Sequence, residues 1–252
     1  MSAIRAENVW KEFGETVILE GISLEIAPRA FVALVGPSGC GKTTFLRMLL
    51  SDERPTRGRI LLGDRPLPPE PDAARGVVFQ RYSVFPHLTA LGNVLLGLEL
   101  AGSALAGRLF GSRRRRARDE ARAMLARVGL EHAADRYPAE LSGGMQQRLA
   151  LAQALVLRPC VLLLDEPFGA LDPGIRVEMQ GLVRELWHET ELTVVMVTHD
   201  LGEAFTLATR VVAFERRRDR PEERARYGAT ITRDIEVWPR RVAGEPPIAR
   251  TA

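Results

Sequence analysis

Cysteine is almost absent from this 252-residue chain: Cys40 and Cys160 are the only two. Neither stands in a metal-ligand spacing, and a chain of this length folds without disulfide staples. A structural zinc site and a disulfide scaffold are therefore set aside, and a reducing cytoplasm is expected. Long hydrophobic runs are lacking too. No apolar stretch reaches the ~18 residues that cross a bilayer; the run from Val94 to Gly107 is broken by Glu99 and stops at Arg108. The opening residues, Met1 to Glu7, have no apolar core of the kind a secretory signal carries. Any membrane role is thus expected to pass through a partner. A surplus of one charge is missing as well. The 35 Lys and Arg face 32 Asp and Glu, a net of +3, which gives no argument for nucleic acid. What remains is an ordinary globular composition, 46% apolar and 27% charged, enough for a sizeable core.

Hydrophobic patterning points to an α/β fold. Residues 4–28 alternate around turns expected at Gly14 and Gly21, which reads as short antiparallel strands. Phe31-Val32-Ala33-Leu34-Val35 is continuously apolar, as in a strand buried on both faces, and a helix is expected from Lys42 to about Leu50. Strands are expected at Gly58–Leu62, Gly76–Gln80, Val161–Leu164, Thr193–Val197 and Thr230–Val237. Residues 81–140 are rich in Leu, Ala and Arg, with helical spacing at Ala121, Met124, Leu125 and Val128, and read as a mostly helical insertion. Ile175, Met179, Leu182, Val183 and Leu186 mark one face of an amphipathic helix. Alternating strands and helices imply a mainly parallel sheet covered on both sides.

Chemistry concentrates at a few places. Gly36-Pro37-Ser38-Gly39-Cys40-Gly41-Lys42-Thr43 fits G-x-x-x-x-G-K-[ST], follows a buried strand and opens a helix, as a phosphate-binding loop must. Its glycines let backbone N–H groups approach phosphates, and the helix dipole favours the anion. Lys42 is assigned to the β- and γ-phosphates and Thr43 to Mg²⁺. Asp165 and Glu166 end a buried strand, where ligands of doubly wound sheets sit. Asp165 suits Mg²⁺, and Glu166 suits a water to be activated. His199 ends another strand, with a γ-phosphate contact as its assigned role; Gln80 ends a third, with its amide near Mg²⁺ or the water. Leu141-Ser142-Gly143-Gly144 makes a second anion-binding helix start, with Ser142 as its cap. One chain already has such an end, so the second suggests a nucleotide held by another copy.

In order and spacing these parts resemble the ATP-binding cassette ATPases over roughly residues 4–214. That resemblance implies a phosphate-loop NTPase core with a mainly parallel sheet, an N-terminal antiparallel β subdomain and an inserted helical subdomain. The expected division is a core of 1–80 and 142–214, a helical subdomain of 81–141 and an extension of 215–252. It further implies that Phe13 stacks on adenine, that Thr44 joins residues 36–43 at the nucleotide, that Ser142, Gly143 and Gly144 reach across a head-to-tail dimer, and that Asp172 communicates between two sites. ATP and Mg²⁺ are the implied cofactors. The single set of motifs, with sixty-odd residues between Gln80 and Leu141, excludes members split by long coiled coils and tandem two-cassette forms. It resembles the energy subunit of a bacterial importer, peripheral on the cytoplasmic face of the inner membrane, with a transmembrane permease, indirectly a periplasmic binding protein, and no nucleic acid as partners. Residues 79–89 resemble the nitrate, sulfonate, taurine and bicarbonate cassettes; a urea- or guanidine-like solute is the alternative. The tail after His199 is short, so the extra regulatory domain of sugar-type importer cassettes is not expected. A small-molecule kinase and a nucleotide-gated module without turnover are the rival functions.

Three positions depart from the family pattern. Gln153 replaces a common Arg, Ser51-Asp52 replaces a Gly-containing turn, and Phe13 replaces Tyr. Arg113 to Arg116, with Arg118, is either a solvated loop and helix start or a contact with lipid headgroups. Cys40, beside Lys42, is either a small loop residue or a thiol shielded by ATP.

Overall fold

Strand pairing begins at the N-terminus, where β1 (Ile4–Phe13) and β2 (Thr16–Ile26) pair antiparallel around Gly14. The computed structural model describes residues 3–80, 83–102, 107–218, 220, 223 and 225–237. Gly21 does not end a strand. It lies inside β2 at a shift of register against β1, so the glycine bends the strand rather than reversing the chain. The apolar pentapeptide forms β3 (Phe31–Val35), followed by α1 (Lys42–Leu50), β4 (Arg57–Leu62), β5 (Arg65–Pro66) and β6 (Arg75–Val78). Next come α2 (Ala90–Gly102), α3 (Gly111–Arg127), α4 (Gly143–Leu155), β7 (Val161–Asp165), α5 (Pro173–Glu189), β8 (Thr193–Val197), α6 (Leu201–Leu207), β9 (Arg210–Glu215) and β10 (Thr230–Glu236). The arginine run belongs to α3, which starts earlier than the apolar spacing indicated, because exposed arginines are good helix formers.

Two sheets result. One is antiparallel, in the order β2-β1-β4-β5; the other has the order β10-β9-β3-β8-β7-β6. In the second, β6, β7, β8, β3 and β9 run parallel, and β10 closes the edge antiparallel to β9. Period-two alternation sends the central strands into two cores. Val32, Leu34, Leu163, Val195 and Val197 pack with Phe45, Leu46 and Leu49 of α1 and with the antiparallel sheet. Phe31, Ala33, Leu162, Leu164, Val194 and Met196 pack with α4, α5 and α6, and beyond them with α2 and α3. The parallel strands therefore present their carboxyl ends side by side, flanked by the start of α1. Ser51 caps α1 at φ 69, a left-handed conformation that glycine usually takes. Among the described residues, no helix is long and apolar enough to cross a membrane.

Candidate functional site

The loop between β3 and α1 is forced into shape by its glycines. Gly36 has φ 145, and a Cβ there would fall 2.1 Å from the Phe214 carbonyl oxygen. Gly41, φ 92, is the left-handed residue before α1, and a Cβ on it would strike Leu19 at 2.7 Å. Neither position admits a side chain, so the backbone itself lines the loop. Pro37, Ser38 and Gly39 are exposed, Thr43 and Thr44 half-buried, and Lys42 buried. The Lys42 ammonium donates to the carbonyls of Gly36 (2.8 Å) and Pro37 (2.9 Å) and lies 3.8 Å from the Cys40 sulfur. A cation is thus held within the curl of the loop. Cys40 is 3% exposed, so its thiol is closed off by protein before any ligand arrives.

Beside this loop, the strand ends bring the acids to it. Thr43 Oγ1 donates to Asp165 Oδ1 at 2.9 Å. Burial raises the Asp165 carboxyl above its ordinary value, the Thr43 hydrogen bond opposes that, and the Glu166 charge adds to it. Glu166 takes φ 45, the left-handed region, which costs on the order of 1 kcal/mol for such a residue. Its N–H donates to the Val197 carbonyl at 2.9 Å. Glu166 Oε2 accepts from Gln80 Nε2 at 3.3 Å and lies 3.3 Å from His199 Nδ1. Lys42, Thr43, Gln80, Asp165, Glu166 and His199 therefore form one neighbourhood drawn from four separate segments. The oxygen-bearing groups of this neighbourhood are the Thr43 hydroxyl, the Gln80 amide and the carboxylates of Asp165 and Glu166. Such a hard set suits Mg²⁺ shared with phosphates rather than a cage made by protein alone. Among the described residues no group of three His, Cys, Asp or Glu could hold a metal.

Phe13 stands at the end of β1 and is 47% exposed. Lys11 Nζ lies 4.5 Å from that ring's centroid and is itself bound to Glu53 Oε2 (2.6 Å) and the Arg54 carbonyl (3.0 Å). One face of the ring thus rests on a fixed cation.

Ser142, Gly143, Gly144 and Asp172 lie elsewhere. Among the described residues no hydrogen bond or ion pair joins them to residues 36–44. Ser142 caps α4, its Oγ accepting from the Met145 N–H at 3.3 Å. Ser142, Gly143 and Asp172 are exposed, whereas Gly144 is buried. A Cβ on Gly144 would meet Ile175 Cγ2 at 2.5 Å, so its lack of a side chain already serves the approach of α4 to α5.

Further residues escaped sequence reasoning. Arg176 donates to the Leu171 carbonyl (3.4 Å) and lies 3.8 Å from both Asp200 and Glu203. Glu203 is buried and accepts from the Thr198 hydroxyl at 2.8 Å; its carboxyl is raised chiefly by burial. These groups tie the loop before Asp172 to the turn that carries His199. The position of Arg176, four residues after Asp172, was the only available hint. Asn93 is 2% exposed and clasps the preceding loop, bonding the Phe85 N–H and the carbonyls of Phe85, Leu88 and Thr89. Gln153 reaches that clasp, with Nε2 at 3.3 Å from Asn93 Oδ1. The residue that departs from the family pattern therefore keeps a polar contact at this place. Tyr82, within the stretch 79–89, lies outside the described residues.

A family model described as ABC transporter matches residues 19–169. An Fe(3+) ions import ATP-binding protein of Rhizobium meliloti (strain 1021) is 47% identical over 210 residues, 82% of this chain and 57% of its own length. A sulfate/thiosulfate import ATP-binding protein of Nephroselmis olivacea is 44% identical over 218 residues, 86% of this chain and 61% of its own. The chain thus spans less than two thirds of these relatives. A dimeric ATP-binding cassette solved in a post-hydrolysis state with ADP and Pi superposes with a TM-score of 0.74 at 30% identity, covering 93% of this chain and 99% of that one.

Proposed function

The chain belongs to the ABC transporter family, and from that premise we propose that it is the ATP-hydrolysing energy subunit of an importer, working as a head-to-tail dimer against a separate membrane permease. The observation that carries this is the convergence of Thr43–Asp165 with Gln80–Glu166–His199 beside the glycine loop. The loop amides and Lys42 bind the phosphates, and Phe13 offers its free face to the base. Glu166, held by Gln80 and facing His199, orients a water and accepts its proton. Magnesium, when bound, neutralises phosphate charge; Thr43, Asp165 and Gln80 are the residues that would hold it.

The exposed Ser142 and Gly143, without partners near residues 36–44, support a role at a second copy's nucleotide, as does the dimeric form of the similar cassette. Asp172, exposed at the start of α5, lies on the same side as α4's start through the Gly144–Ile175 contact. A groove of about 440 Å³ lined by Phe79, Ser83, Gly97, Leu100, Gln153 and Ala154 is the seat for a short permease helix. The chain then sits on the cytoplasmic face of the membrane, and a periplasmic binding protein selects the solute. The relatives' names move the solute reading away from nitrate and taurine. Fe(3+) comes first and a sulfur oxyanion second, the latter shared by the sulfate/thiosulfate relative and the sulfonate-like loop.

The test is Glu166→Gln. The wild type should hydrolyse ATP with Mg²⁺, and the variant should bind ATP, turn over poorly and sediment as a dimer. A variant that remains monomeric at saturating ATP sinks the sandwich, and a wild type without turnover sinks the enzyme reading. Uptake of labelled iron against labelled sulfate, in cells with and without the intact chain, decides the solute.

A further inference from the structure

The stretch from Arg108 through the first half of α3 carries charge that the nucleotide site does not use. Arg108, Arg113, Arg115, Arg116 and Arg118 are exposed, and among the described residues none of them has an acidic partner. Their neighbour Arg114 is taken by Glu99 at 3.0 Å, and Glu120 further along is taken by Arg158 at 2.8 Å. The first turn of α3 contains no acid. A helix start already presents positive partial charge, so arginines crowd there against the local field. They are kept where an outside anion would relieve them.

Apolar side chains sit beside this charge. Phe110, just ahead of α3, is 73% exposed, and Leu100 near the end of α2 is 59% exposed. The two helix ends are held together: Leu109 lies 3.0 Å from the position a Cβ on Gly102 would take, and Leu100 lies 3.7 Å from that of Gly107. Exposed aromatic and leucine side chains next to unpaired guanidinium groups suit the headgroup layer of an anionic bilayer. The guanidinium forks match phosphate oxygens, and the apolar groups enter the acyl boundary. Position agrees with chemistry, because Leu100 also lines the groove assigned to the permease.

We propose that Phe110 and the exposed arginines in the first turns of α3, Arg113, Arg115 and Arg116, rest on the anionic lipid surface around the permease. The orientation rests on the importer reading above; the lipid contact itself is a property of the isolated chain. The test is flotation of the full chain with vesicles of phosphatidylcholine alone or mixed with phosphatidylglycerol. Binding is expected only with phosphatidylglycerol, and to fall as salt rises. Changing Arg113, Arg115 and Arg116 together to Gln should weaken binding roughly 100-fold, about fivefold per arginine. The matching triple Lys variant should keep most of it. Phe110→Ala should lower the binding that survives at high salt. Thermal melting and nucleotide binding report that the variants are folded. Equal binding to both vesicle types, or a Gln variant that floats like the wild type, overturns the proposal. So does single-stranded RNA that displaces the vesicles at lower concentration than free phosphatidylglycerol vesicles do. A wild type that turns over ATP but does not float refutes the lipid surface alone, whereas a wild type that floats but does not turn over ATP refutes only the functional reading.

Discussion

Alanine at Gly144 separates two demands on one position. The added Cβ would lie 2.5 Å from Ile175 Cγ2, about 1 Å inside ordinary carbon contact. Overpacking of this kind costs about 1–3 kcal/mol, and leaving glycine in a helix returns up to about 1 kcal/mol. A net loss of about 1–2 kcal/mol corresponds to a fall of roughly 2–8 °C in melting temperature for a chain of this size. Ile175→Ala removes the opposing methyl and carries its own cost of about 1–3 kcal/mol, since the side chain is only half-buried. In the double variant the new methyl meets space, so the double should be no less stable than Ile175→Ala alone, with a coupling of about 1–2 kcal/mol. Urea and thermal unfolding of the four proteins, without nucleotide, measure this. Additive losses would refute the packing argument. ATP turnover in the same four proteins reads the other demand. If Gly144 also faces a second copy's nucleotide, stability returns in the double variant and turnover does not.

Lys42→Ala should reduce ATP hydrolysis to background while the chain stays folded; substantial residual turnover in a phosphate-release assay contradicts the assigned role. Asp165→Asn should raise the stability of the nucleotide-free protein at neutral pH and abolish the extra stabilisation by Mg²⁺. The sign follows from the raised carboxyl: folding favours the protonated form, so this group's stability contribution is full below its ordinary value near 3.8 and is lost as pH rises through the raised value. The gain of the Asn variant should therefore vanish in acid, and a pH-independent gain would contradict it. Arg176→Gln and Glu203→Gln should each lower kcat several-fold with KM for ATP unchanged, and the double should be no worse than either single; additive effects would show that the two act apart. Lys11→Met should weaken ATP binding about two- to fivefold through the Phe13 ring, measured by nucleotide titration; unchanged affinity removes the cation from the account.

The main architecture was legible because buried parallel strands write themselves as apolar runs. Phe31–Val35 and Thr193–Val197 end where the runs end. The chemistry at strand ends was legible for the same reason, since Gln80, Asp165, Glu166 and His199 mark where the apolar layer stops. What escaped was long-range. Nothing local announces that Asn93 clasps the loop from Phe85 to Thr89, that Arg176 reaches Glu203, or that Gly144 is small for the sake of Ile175. Each depends on which helix lies opposite, and helical periodicity reports only that some neighbour exists. β9 was missed too. Its run from Arg210 to Glu215 is short and bounded by charge, and only its pairing with β3 and β10 makes it a strand.

The alignment of the parallel strands sets a phase for the whole site. Val197 pairs with Leu34 on one side and with Asp165 on the other, and Leu164 pairs with Val78. Four strand ends therefore stop at one level across about 15 Å, and each releases its reactive residues just beyond that line. A slip of one residue in β7 would turn Asp165 into the opposite apolar layer and offer Leu164 to Thr43. Helices and loops can lengthen or change composition without disturbing this row. A single inserted residue within β7 would leave the fold recognisable and the chemistry out of step.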